Sequence, residues 1–359
     1  MDNQEVYKIL TINPGLTTTR ISIYYNEDSI ISEEIVHTPE ETSIFDKVID
    51  QLDFRYEILD KLLKKNSIDI TSFDAVVGRG APLRPMEGGI YRINRKMVDD
   101  ASNRPMTEHP SLLGPVLAYE VEKKYNVPSY IVDPVCVDEL KAVARITGLP
   151  KIMRTALFHA LNQRAVGHIY ANSIGNKYKD LNLVMVHLGS GISLAAHEKG
   201  RIVDVSSPNH SGPFSPTRAG ELPTEPLVEL CFSEGMTKEK VKKLISREGG
   251  LIAHLGTGDV RKIEARIASG DERATLILQA MAYNVAKCIG GLATVFKGNL
   301  DAIVMTGSLA YSKILIDWIR ERVSYLGEFV VMPGEDEMGA MARGVLRVLR
   351  GTEDVRDYD

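Results

Sequence analysis

Two runs of apolar, β-type residues, each interrupted by a glycine turn, dominate the hydrophobic pattern of this chain. The first run covers 9–24 and turns at Asn13-Pro14-Gly15, and the second covers 183–194 and turns at Gly189-Ser190-Gly191. Each pattern predicts a β-hairpin. Turn glycines let the backbone approach a ligand closely, and exposed N–H and hydroxyl groups there suit phosphate oxygens. Two such hairpins in matching positions predict a duplicated domain that grips a polyphosphate from both sides.

The rest of the pattern alternates between strands and helices. Short apolar runs predict strands at 75–78, 129–132 and 302–305, and helical periodicity covers 45–65, 112–125, 154–171, 275–296, 309–323 and 338–349. Stretches rich in Gly, Pro and Ser at 206–226 and 249–258 predict long loops that wall a site. The alternation predicts an α/β fold of duplicated type. We expect an N-terminal domain at 1–153, completed by the last helix at about 338–359, and a C-terminal domain at 154–337.

Composition narrows the functional classes. The chain has 359 residues, 44% apolar and 25% charged, which is typical of soluble globular proteins. A net charge of −5 without a basic arm argues against nucleic-acid binding. The three cysteines are scattered without C-x-x-C spacing, which predicts reduced thiols in a cytoplasm. The first residues lack the pattern of a leader, and no run of 18 apolar residues is present, so we expect no membrane association.

The glycine motifs exclude two common nucleotide folds. No G-x-x-x-x-G-K-[ST] sequence is present, which excludes a Walker phosphate loop. The G-x-G at Gly189 and Gly191 lacks a third glycine and lies between two strands instead of opening a helix. A Rossmann dinucleotide site is therefore not expected.

The joint order of the motifs resembles the acetate and butyrate kinase family of actin-like, sugar-kinase-like ATPases. Asn13-Pro14-Gly15 and the threonines that follow are similar to the first phosphate motif of that family. The run from His187 to Gly191 is similar to the second phosphate motif. The run 303–308 resembles its adenosine motif, and the run 256–264 resembles a segment that contacts the nucleoside through Asp259 and Arg261. The resemblance implies that the following residues bind the phosphates and the nucleoside: Gly15, Thr17, Thr18, Arg20, His187, Gly189, Ser190, Gly191, Asp259, Arg261, Gly307 and Ser308.

The resemblance also implies a fold and an activity. The fold would be a duplicated actin-like ATPase (ribonuclease H-like) fold, with two domains flanking a nucleotide cleft. The cofactors would be ATP/ADP and Mg²⁺, and the substrate a short-chain carboxylate that becomes an acyl phosphate by direct in-line transfer. The family also implies a homo-oligomer, a dimer or larger.

Two arginines are candidates for handling the anionic substrate. Arg79 follows a predicted strand, and Arg218 lies in a Gly/Pro-rich loop. A planar guanidinium matches the two oxygens of a carboxylate or phosphoryl group, although most arginines form surface salt bridges. The resemblance implies that both arginines hold the acyl carboxylate and neutralise the phosphoryl group in flight.

The resemblance implies four further catalytic or metal-binding residues. Asn13 belongs to the first phosphate motif. His159, predicted inside the helix at 154–171, is either a core histidine or a donor to the transferring phosphoryl group, and His109 is a weaker candidate. Asp133 ends a strand, where ligands bind in α/β folds, and it and Glu337 would help hold Mg²⁺. Glu335 and Asp336 compete with Glu337 for that role.

Departures from the acetate-kinase pattern bear on the substrate. Arg20 stands where those kinases usually carry a lysine, and Gly80-Ala81 where they carry two valines. Lost methyl groups would widen an acyl pocket that has Phe158 as a wall, and each extra buried CH₂ of substrate contributes roughly 0.8 kcal/mol. These departures, together with the short chain, favour butyrate or a branched acid over acetate.

Three alternatives remain open at this stage. One is an acetate or propionate kinase of the same family. Another is a sugar or polyol kinase, which would need a base, and Asp133 is the candidate for it. The third is a nucleotide-driven structural or regulatory protein, for which we expect neither large insertions nor a helix-turn-helix before the hairpin that begins by Lys8.

Overall fold

The structure of the protein is a computed structural model that describes residues 5–207 and 211–359. Residues 1–4, on which the leader argument partly rests, and 208–210 of the predicted loop 206–226 lie outside the described residues. The strands are β1 (Lys8–Pro14), β2 (Thr18–Tyr25), β3 (Asp28–Val36), β4 (Ala75–Arg79), β5 (Ile90–Arg92), β6 (Ser129–Val132), β7 (Asn182–Leu188), β8 (Ile192–Glu198), β9 (Arg201–Ser206), β10 (Ala302–Thr306), β11 (Glu328–Val331) and β12 (Val355–Arg356).

The α-helices are α1 (Pro39–Thr42), α2 (Leu52–Lys65), α3 (Arg95–Asn103), α4 (Leu113–Tyr125), α5 (Ala142–Arg145), α6 (Ala160–Ser173), α7 (Thr224–Phe232), α8 (Lys238–Ser246), α9 (Gly250–Leu255), α10 (Val260–Ala268), α11 (Glu272–Ala293), α12 (Lys313–Val323) and α13 (Glu337–Leu349). Short 3₁₀ turns occur at Val48–Gln51, Ile70–Ser72, Pro110–Leu112, Tyr178–Asp180, Thr294–Phe296 and Ser308–Tyr311.

The chain divides into two compact units. The first unit contains Met1–Val137, Ala160–Ala165 and Asp336–Asp359, and the second contains Asp138–His159 and Val166–Glu335. In the first unit the strand order is β12-β5-β6-β4-β1-β2-β3, and in the second it is β11-β10-β7-β8-β9. Each unit therefore has its own sheet.

The two sheets repeat one motif. Strands β1, β2 and β3 form an antiparallel meander, and β4 and then β6 continue it in parallel beside β1. Strands β7, β8 and β9 form a second meander, and β10 and then β11 continue it in parallel beside β7. The α/β duplication predicted from the two hairpins is confirmed.

Both sheets are covered by apolar side chains on each face. In the first unit, α4 packs on one face through residues such as Leu117, and α13 packs on the other through residues such as Val345. In the second unit, α11 supplies one core through Met281, and α6 contributes Tyr170 to the opposite core. This burial on both faces explains why strands such as β7 read as nearly continuous apolar runs.

The helix predicted at 154–171 begins six residues later, so that prediction was wrong at its start. Helix α6 starts at Ala160, and His159 is its N-cap residue. The guanidinium of Arg154 donates to the carbonyls of Ala144 and Val205, at 2.8 and 2.7 Å. These tertiary hydrogen bonds hold 154–159 outside the helix, and periodicity could not reveal them.

The loop predicted at 249–258 contains a helix, which is a second correction. Helix α9 begins at Gly250, and the backbone N–H groups of Leu251 and Ile252 donate to the carbonyls of Ser215 and Pro216, both at 3.1 Å. Its first turn is therefore capped by a distant loop. The helices predicted at 45–65 and 309–323 are each divided into a 3₁₀ turn and an α-helix, and the strand β12 was not predicted.

One segment within the described residues is long and apolar enough, by length and composition alone, to cross a membrane. It is Glu272–Phe296, and 44% of its most apolar window is buried inside the protein. The sequence-based expectation of no such segment missed it, because the expectation required an uninterrupted apolar run. Nine buried residues of α11, including Leu278, Met281 and Val285, contribute to the second unit. This burial is what a core helix also shows, so the segment is weak evidence for a membrane span.

Candidate active site

The first predicted phosphate loop is the turn between β1 and β2. Gly15 N–H donates to the carbonyl of Thr18 at 2.7 Å, which closes the turn, and Leu16 at its tip is 75% exposed. Thr17 is exposed and Thr18 is half-buried at its edge. Arg20 lies beyond the turn on β2, where its guanidinium pairs with Glu34 of β3 at the surface. The structure therefore brings Gly15, Thr17 and Thr18 together and engages Arg20 elsewhere.

Asn13, Arg79 and Glu337 form one polar cluster in the first unit. Asn13 Nδ2 donates to Glu337 Oε2 at 2.8 Å, and Arg79 Nη2 donates to Glu337 Oε1 at 2.9 Å. Asn13 lies at the end of β1 and Arg79 at the end of the neighbouring parallel strand β4, while Glu337 opens α13. Arg79 Nη1 is buried and has no hydrogen-bond partner among the described residues. A buried donor of this kind is costly to leave unpaired, so it fits a ligand oxygen.

The geometry separates the three competing acidic residues. Asp336 accepts from the N–H of Gly339 at 2.8 Å as the cap of α13, and it also pairs with Arg343. Glu335 belongs to the second unit, where its Oε1 lies 3.1 Å from His187 Nε2. Glu337 is the one of the three that lies with Asn13 and Arg79.

His109 lies near the same cluster. Its Nδ1 accepts from the backbone N–H of Ser111 at 3.2 Å and lies 2.8 Å from Ser111 Oγ. Burial lowers the pKa of the imidazole, the positive charge of Arg79 lowers it further, and Glu337 opposes both. The ring is therefore kept neutral beside a guanidinium, which favours a role as a hydrogen-bonding group over a role as a cation.

Asp133 lies deep in the first unit. Its Oδ1 accepts from the N–H of Gly89 at 2.7 Å and lies 2.9 Å from Arg164 Nε. Burial raises the pKa of this carboxyl, and the Arg164 charge pulls in the opposite direction. The residue is 2% exposed. Its carboxylate is therefore already engaged by one hydrogen bond and one ion pair within the protein.

The oxygens of the first unit provide a partial fit to Mg²⁺. Within 5–207 and 211–359, no group of three or more His, Cys, Asp or Glu side chains is placed to hold a metal. A kinase Mg²⁺ needs only one or two carboxylates, because substrate phosphates and waters complete its shell. Both oxygens of Glu337 accept from protein donors, but its side chain is one-third exposed and can reach a cation, whereas Asp133 is 2% exposed and does not fit in this arrangement.

Gly80 does not line an enlarged space. A Cβ on Gly80 would lie 2.6 Å from both Cα and Cβ of Pro134, so that residue already occupies the volume that a valine would fill. Ala81 is 0% exposed, and its carbonyl accepts from the Cys136 thiol at 3.4 Å. Phe158 is buried in the second unit. The argument that Gly80 widens an acyl pocket by losing methyl groups is therefore not supported.

The second predicted phosphate loop follows β7 and carries a histidine pair. The rings of His159 and His187 are stacked, with centroids 3.9 Å apart and an angle of 19° between their planes. His159 Nδ1 lies 2.7 Å from Ser193 Oγ, and His187 contacts Glu335 as described. His159, although it caps a helix instead of lying within it, is thus brought directly to this loop.

Arg218 crosses the second loop at Gly191. A Cβ on Gly191 would lie 2.3 Å from Arg218 Nη1, so only glycine allows this approach. Two hydroxyl groups hold the loop that carries Arg218. Ser215 Oγ donates to the carbonyl of Ser190 at 2.7 Å, and Thr217 Oγ1 donates to the same carbonyl at 3.1 Å. Burial lowers the pKa of the Arg218 guanidinium. The sequence analysis placed Arg218 only in a Gly/Pro-rich loop, and the structure brings that side chain against Gly191.

A cavity of about 710 Å³ lies in the second unit beside that loop. Its size is within the range of small-molecule sites. The predicted residues Ser190, Asp259, Arg261 and Ser308 line it, and Gly307 adjoins Ser308 at the end of β10. The Asp259 carboxylate holds the Arg261 guanidinium through two contacts of 3.1 Å, at Nε and Nη2.

Several residues near these sites were not predicted. Glu264 and Ser312 line the cavity and are hydrogen-bonded to each other, and Tyr311 lines it too. Glu264 lies in the segment that resembles a nucleoside-contacting motif, and that signal could have identified it. Arg55, buried beneath the first hairpin, carries no sequence signal of this kind.

Comparison with known proteins gives the fold a family context. The acetokinase family profile matches residues 150–327. The acetate kinase of Porphyromonas gingivalis superposes with a TM-score of 0.79 at 19% identity, covering 95% of this chain and 100% of that one. The acetate kinase of Entamoeba histolytica gives 0.78 at 17%, covering 95% and 99%.

Two further solved structures extend the comparison. A propionate kinase from Francisella tularensis subsp. tularensis SCHU S4 gives a TM-score of 0.75 at 17% identity, covering 94% of this chain and 98% of that one. A putative N-acetylmannosamine kinase from Listeria monocytogenes gives 0.51 at 12%, covering 96% and 99%. The chain thus has the fold of the acetate kinases, shared more distantly with sugar kinases, and its residues 150–327 carry the sequence pattern of the acetokinase family.

Proposed function

We propose that this protein is an ATP-dependent carboxylate kinase that converts a short-chain fatty acid and ATP reversibly into an acyl phosphate and ADP. The acetokinase match supports carboxylate kinase activity. The observation that carries the proposal is the buried, unpartnered Nη1 of Arg79 beside Asn13 and Glu337. A free guanidinium donor at a strand end suits an anionic substrate better than a neutral alcohol.

The proposed mechanism needs no protein nucleophile. A carboxylate is already ionised, so it attacks the γ-phosphorus in line once it is held in place, and positioning and charge neutralisation supply most of the catalysis. Arg79 would hold the acyl carboxylate through Nη1 while Glu337 holds Nη2. Arg218, His159 and His187 would donate to the transferring phosphoryl group and to its neighbouring phosphates.

The remaining assignments complete the proposal. Gly15, Thr17 and Thr18 would bind phosphates from the first unit, and the cavity beside Asp259, Arg261 and Ser308 would hold the nucleoside. Mg²⁺, when bound, would neutralise phosphate charge, with Glu337 as its protein carboxylate. We further propose a cytoplasmic homo-oligomer with no nucleic-acid or membrane partner, in which the first domain handles acyl and phosphate groups and the second the nucleotide.

The finer substrate proposal is butyrate or a branched four-carbon acid. It rests on Ala81, where the acetate kinases that the chain resembles carry a valine, because Gly80 is packed against Pro134 and adds no space. Acetate or propionate is the alternative within the same chemistry, and the relatives of similar fold are named for those two substrates.

A sugar kinase is the alternative of a different substrate class. It would need a carboxylate base to deprotonate a hydroxyl. Asp133 is the residue that could serve, but its carboxylate accepts from Gly89 and pairs with Arg164. That engagement favours the carboxylate reaction.

The test is an ATP- and Mg²⁺-dependent hydroxamate assay, which traps acyl phosphates, with acetate, propionate, butyrate, isobutyrate and glycerol as acceptors. Hydroxamate with a four-carbon acid and little with acetate would support both parts of the proposal. A preference for acetate would keep the mechanism and overturn the four-carbon assignment. ADP release with glycerol but no hydroxamate with any acid would overturn the carboxylate kinase in favour of the polyol alternative.

A further inference from the structure

The turn between β1 and β2 is supported from below by one buried arginine. Arg55, on α2, is 1% exposed. Its Nη1 donates to the carbonyl of Thr18 at 2.7 Å and to Thr19 Oγ1 at 2.6 Å, and its Nη2 donates to the carbonyl of Gly15 at 3.1 Å. The opposite edge of the guanidinium donates to Gln51 Oε1 from Nε and Nη2, at 3.2 and 2.9 Å.

Every acceptor in this set is a neutral oxygen. No carboxylate lies within ion-pair distance of Arg55 in the described part of the chain, in contrast to arginines such as Arg79 and Arg92. Burial of an unpaired cation is costly, and it lowers the pKa of this guanidinium to about 10. An apolar side chain would fill the same space without that cost, so packing alone does not account for an arginine here.

A second basic side chain is buried in the same place. His37 Nε2 lies 2.8 Å from Thr19 Oγ1, and its backbone N–H donates to the carbonyl of Thr17 at 2.8 Å. Burial lowers the pKa of this ring, and the charge of Arg55 lowers it further. The neutral ring can therefore accept the Thr19 hydroxyl proton, while Thr19 Oγ1 accepts from Arg55.

These contacts fix which way the turn presents its backbone. The carbonyls of Gly15, Thr17 and Thr18 all accept from Arg55 or His37. In a trans peptide the N–H points opposite to the preceding carbonyl. The N–H of Leu16 is therefore directed away from Arg55, and Leu16 itself is 75% exposed. The turn is therefore held with the Leu16 N–H directed outward.

We propose that Arg55 is a positioning residue for nucleotide phosphates: it holds the β1–β2 turn with the Leu16 N–H outward and supplies an uncompensated positive charge beneath it. The inference rests on the proposed function, because it takes the ligand of this turn to be the phosphates of ATP. Arg55 itself touches no ligand. The anion that balances its charge is the bound polyphosphate.

The experiment compares the binding of ATP with that of adenosine, measured by isothermal titration calorimetry on the full chain. Adenosine carries no phosphates, so its binding reports the second-unit cavity alone. We expect Arg55→Met to weaken ATP binding by about tenfold or more with adenosine affinity unchanged, since hydrogen bonds from a charged group are lost. Arg55→Lys keeps the positive charge but lacks the planar set of guanidinium donors, so it should recover part of the lost ATP affinity.

A milder variant tests the charge without disturbing the turn. Gln51→Glu keeps the acceptors on the far edge of the guanidinium and adds the missing carboxylate. We expect severalfold weaker ATP binding, unchanged adenosine binding and an unchanged or raised Tm. This variant also serves if Arg55→Met fails to fold.

The outcomes are distinct. Equal losses of ATP and adenosine affinity in Arg55→Met, or no loss of either, would overturn the positioning role. Unchanged ATP affinity in Gln51→Glu would overturn the claim that the charge of Arg55 contributes to phosphate binding. No carboxylate enters these titrations, so a protein that binds ATP in this way but forms no acyl phosphate would refute the proposed function and leave this inference standing.

Discussion

Replacing Arg79 by alanine is the most direct test of the chemistry. The substitution removes the buried Nη1, which has no hydrogen-bond partner within 5–207 and 211–359, and also the Nη2 contact to Glu337. Glu337 keeps its hydrogen bond from Asn13, so the cluster loses its cation while its two other members stay paired. The side chain of Arg79 is only 16% exposed, which limits how far water can replace it.

The magnitude follows from the kind of bond that is lost. A hydrogen bond from a charged donor to an ionised acceptor contributes roughly 1.5–3 kcal/mol, and loss of one oxyanion-stabilising donor typically costs about 3 kcal/mol in the transition state. Each 1.36 kcal/mol is about a tenfold change in rate. We therefore expect kcat/KM for the carboxylate to fall about a hundredfold in Arg79→Ala. The kcat/KM of Arg79→Lys should lie between those of the parent protein and Arg79→Ala. One ammonium group cannot hold Glu337 and the substrate at the same time, as the two Nη atoms of a guanidinium can.

The assay is initial-rate hydroxamate formation at varied carboxylate and saturating ATP, with thermal unfolding measured in parallel. The matched control is Arg92→Ala. Arg92 also lies on a strand of the first sheet, pairs with Glu122 and has a buried Nη1 without a partner among the described residues. It is outside the Asn13–Arg79–Glu337 cluster, so its replacement should lower Tm without a comparable loss of kcat/KM.

Two results would refute the reasoning. If Arg79→Ala keeps kcat/KM within a few-fold of the parent protein, the guanidinium does not act on the reacting groups. If Arg92→Ala loses activity as severely as Arg79→Ala, the effect reflects general damage to the first sheet and not the cluster.

Three further predictions concern single contacts. Gly191→Ala places a Cβ 2.3 Å from Arg218 Nη1, so we expect a loss of kcat of about tenfold or more with little change in Tm, and an unchanged kcat would refute the placement of Arg218. Gly80→Ala, which meets Pro134 at 2.6 Å, should cost about 1–3 kcal/mol in urea unfolding, and full stability with a shift towards acetate would instead restore the widened-pocket argument. The pKa of His109 is lowered in the folded protein, so the unfolded chain binds a proton first as the pH falls. The contribution of His109 to stability is therefore full above about pH 6.5 and decreases below it. His109→Gln should flatten this part of the curve of unfolding free energy against pH, and an unchanged slope would contradict the lowered pKa.

The architecture could be predicted because it depends on local pattern. Apolar alternation around the two glycine turns at 9–24 and 183–194 predicts the hairpins, and their recurrence predicts the duplication that the two sheets display. Periodicity also placed α4, α11 and α13 to within a few residues. It failed at 154–159 and at α9, where hydrogen bonds to distant backbone decide the conformation.

The site was predicted in part. Motif order named the second loop, Arg218 and the nucleoside segment as site residues, and the structure places all three in the second unit, while their roles remain proposals. The sequence could not show which of Glu335, Asp336 and Glu337 lies with Asn13 and Arg79, because adjacent acidic residues at a helix start differ only in the direction of their side chains. Nor could it anticipate that Arg20 pairs with Glu34 across the sheet.

The sequence by itself determined the alternation of elements, the duplication and the residue types available for phosphate and carboxylate chemistry, because these depend on spacing along the chain. Tertiary structure decided which of those residues have free donors. Asp133 is engaged by Arg164, Gly80 is filled by Pro134, and Arg55 supports the first turn through contacts across 36–40 residues of chain. Such contacts depend on distance in space, and no periodicity in the sequence encodes that distance.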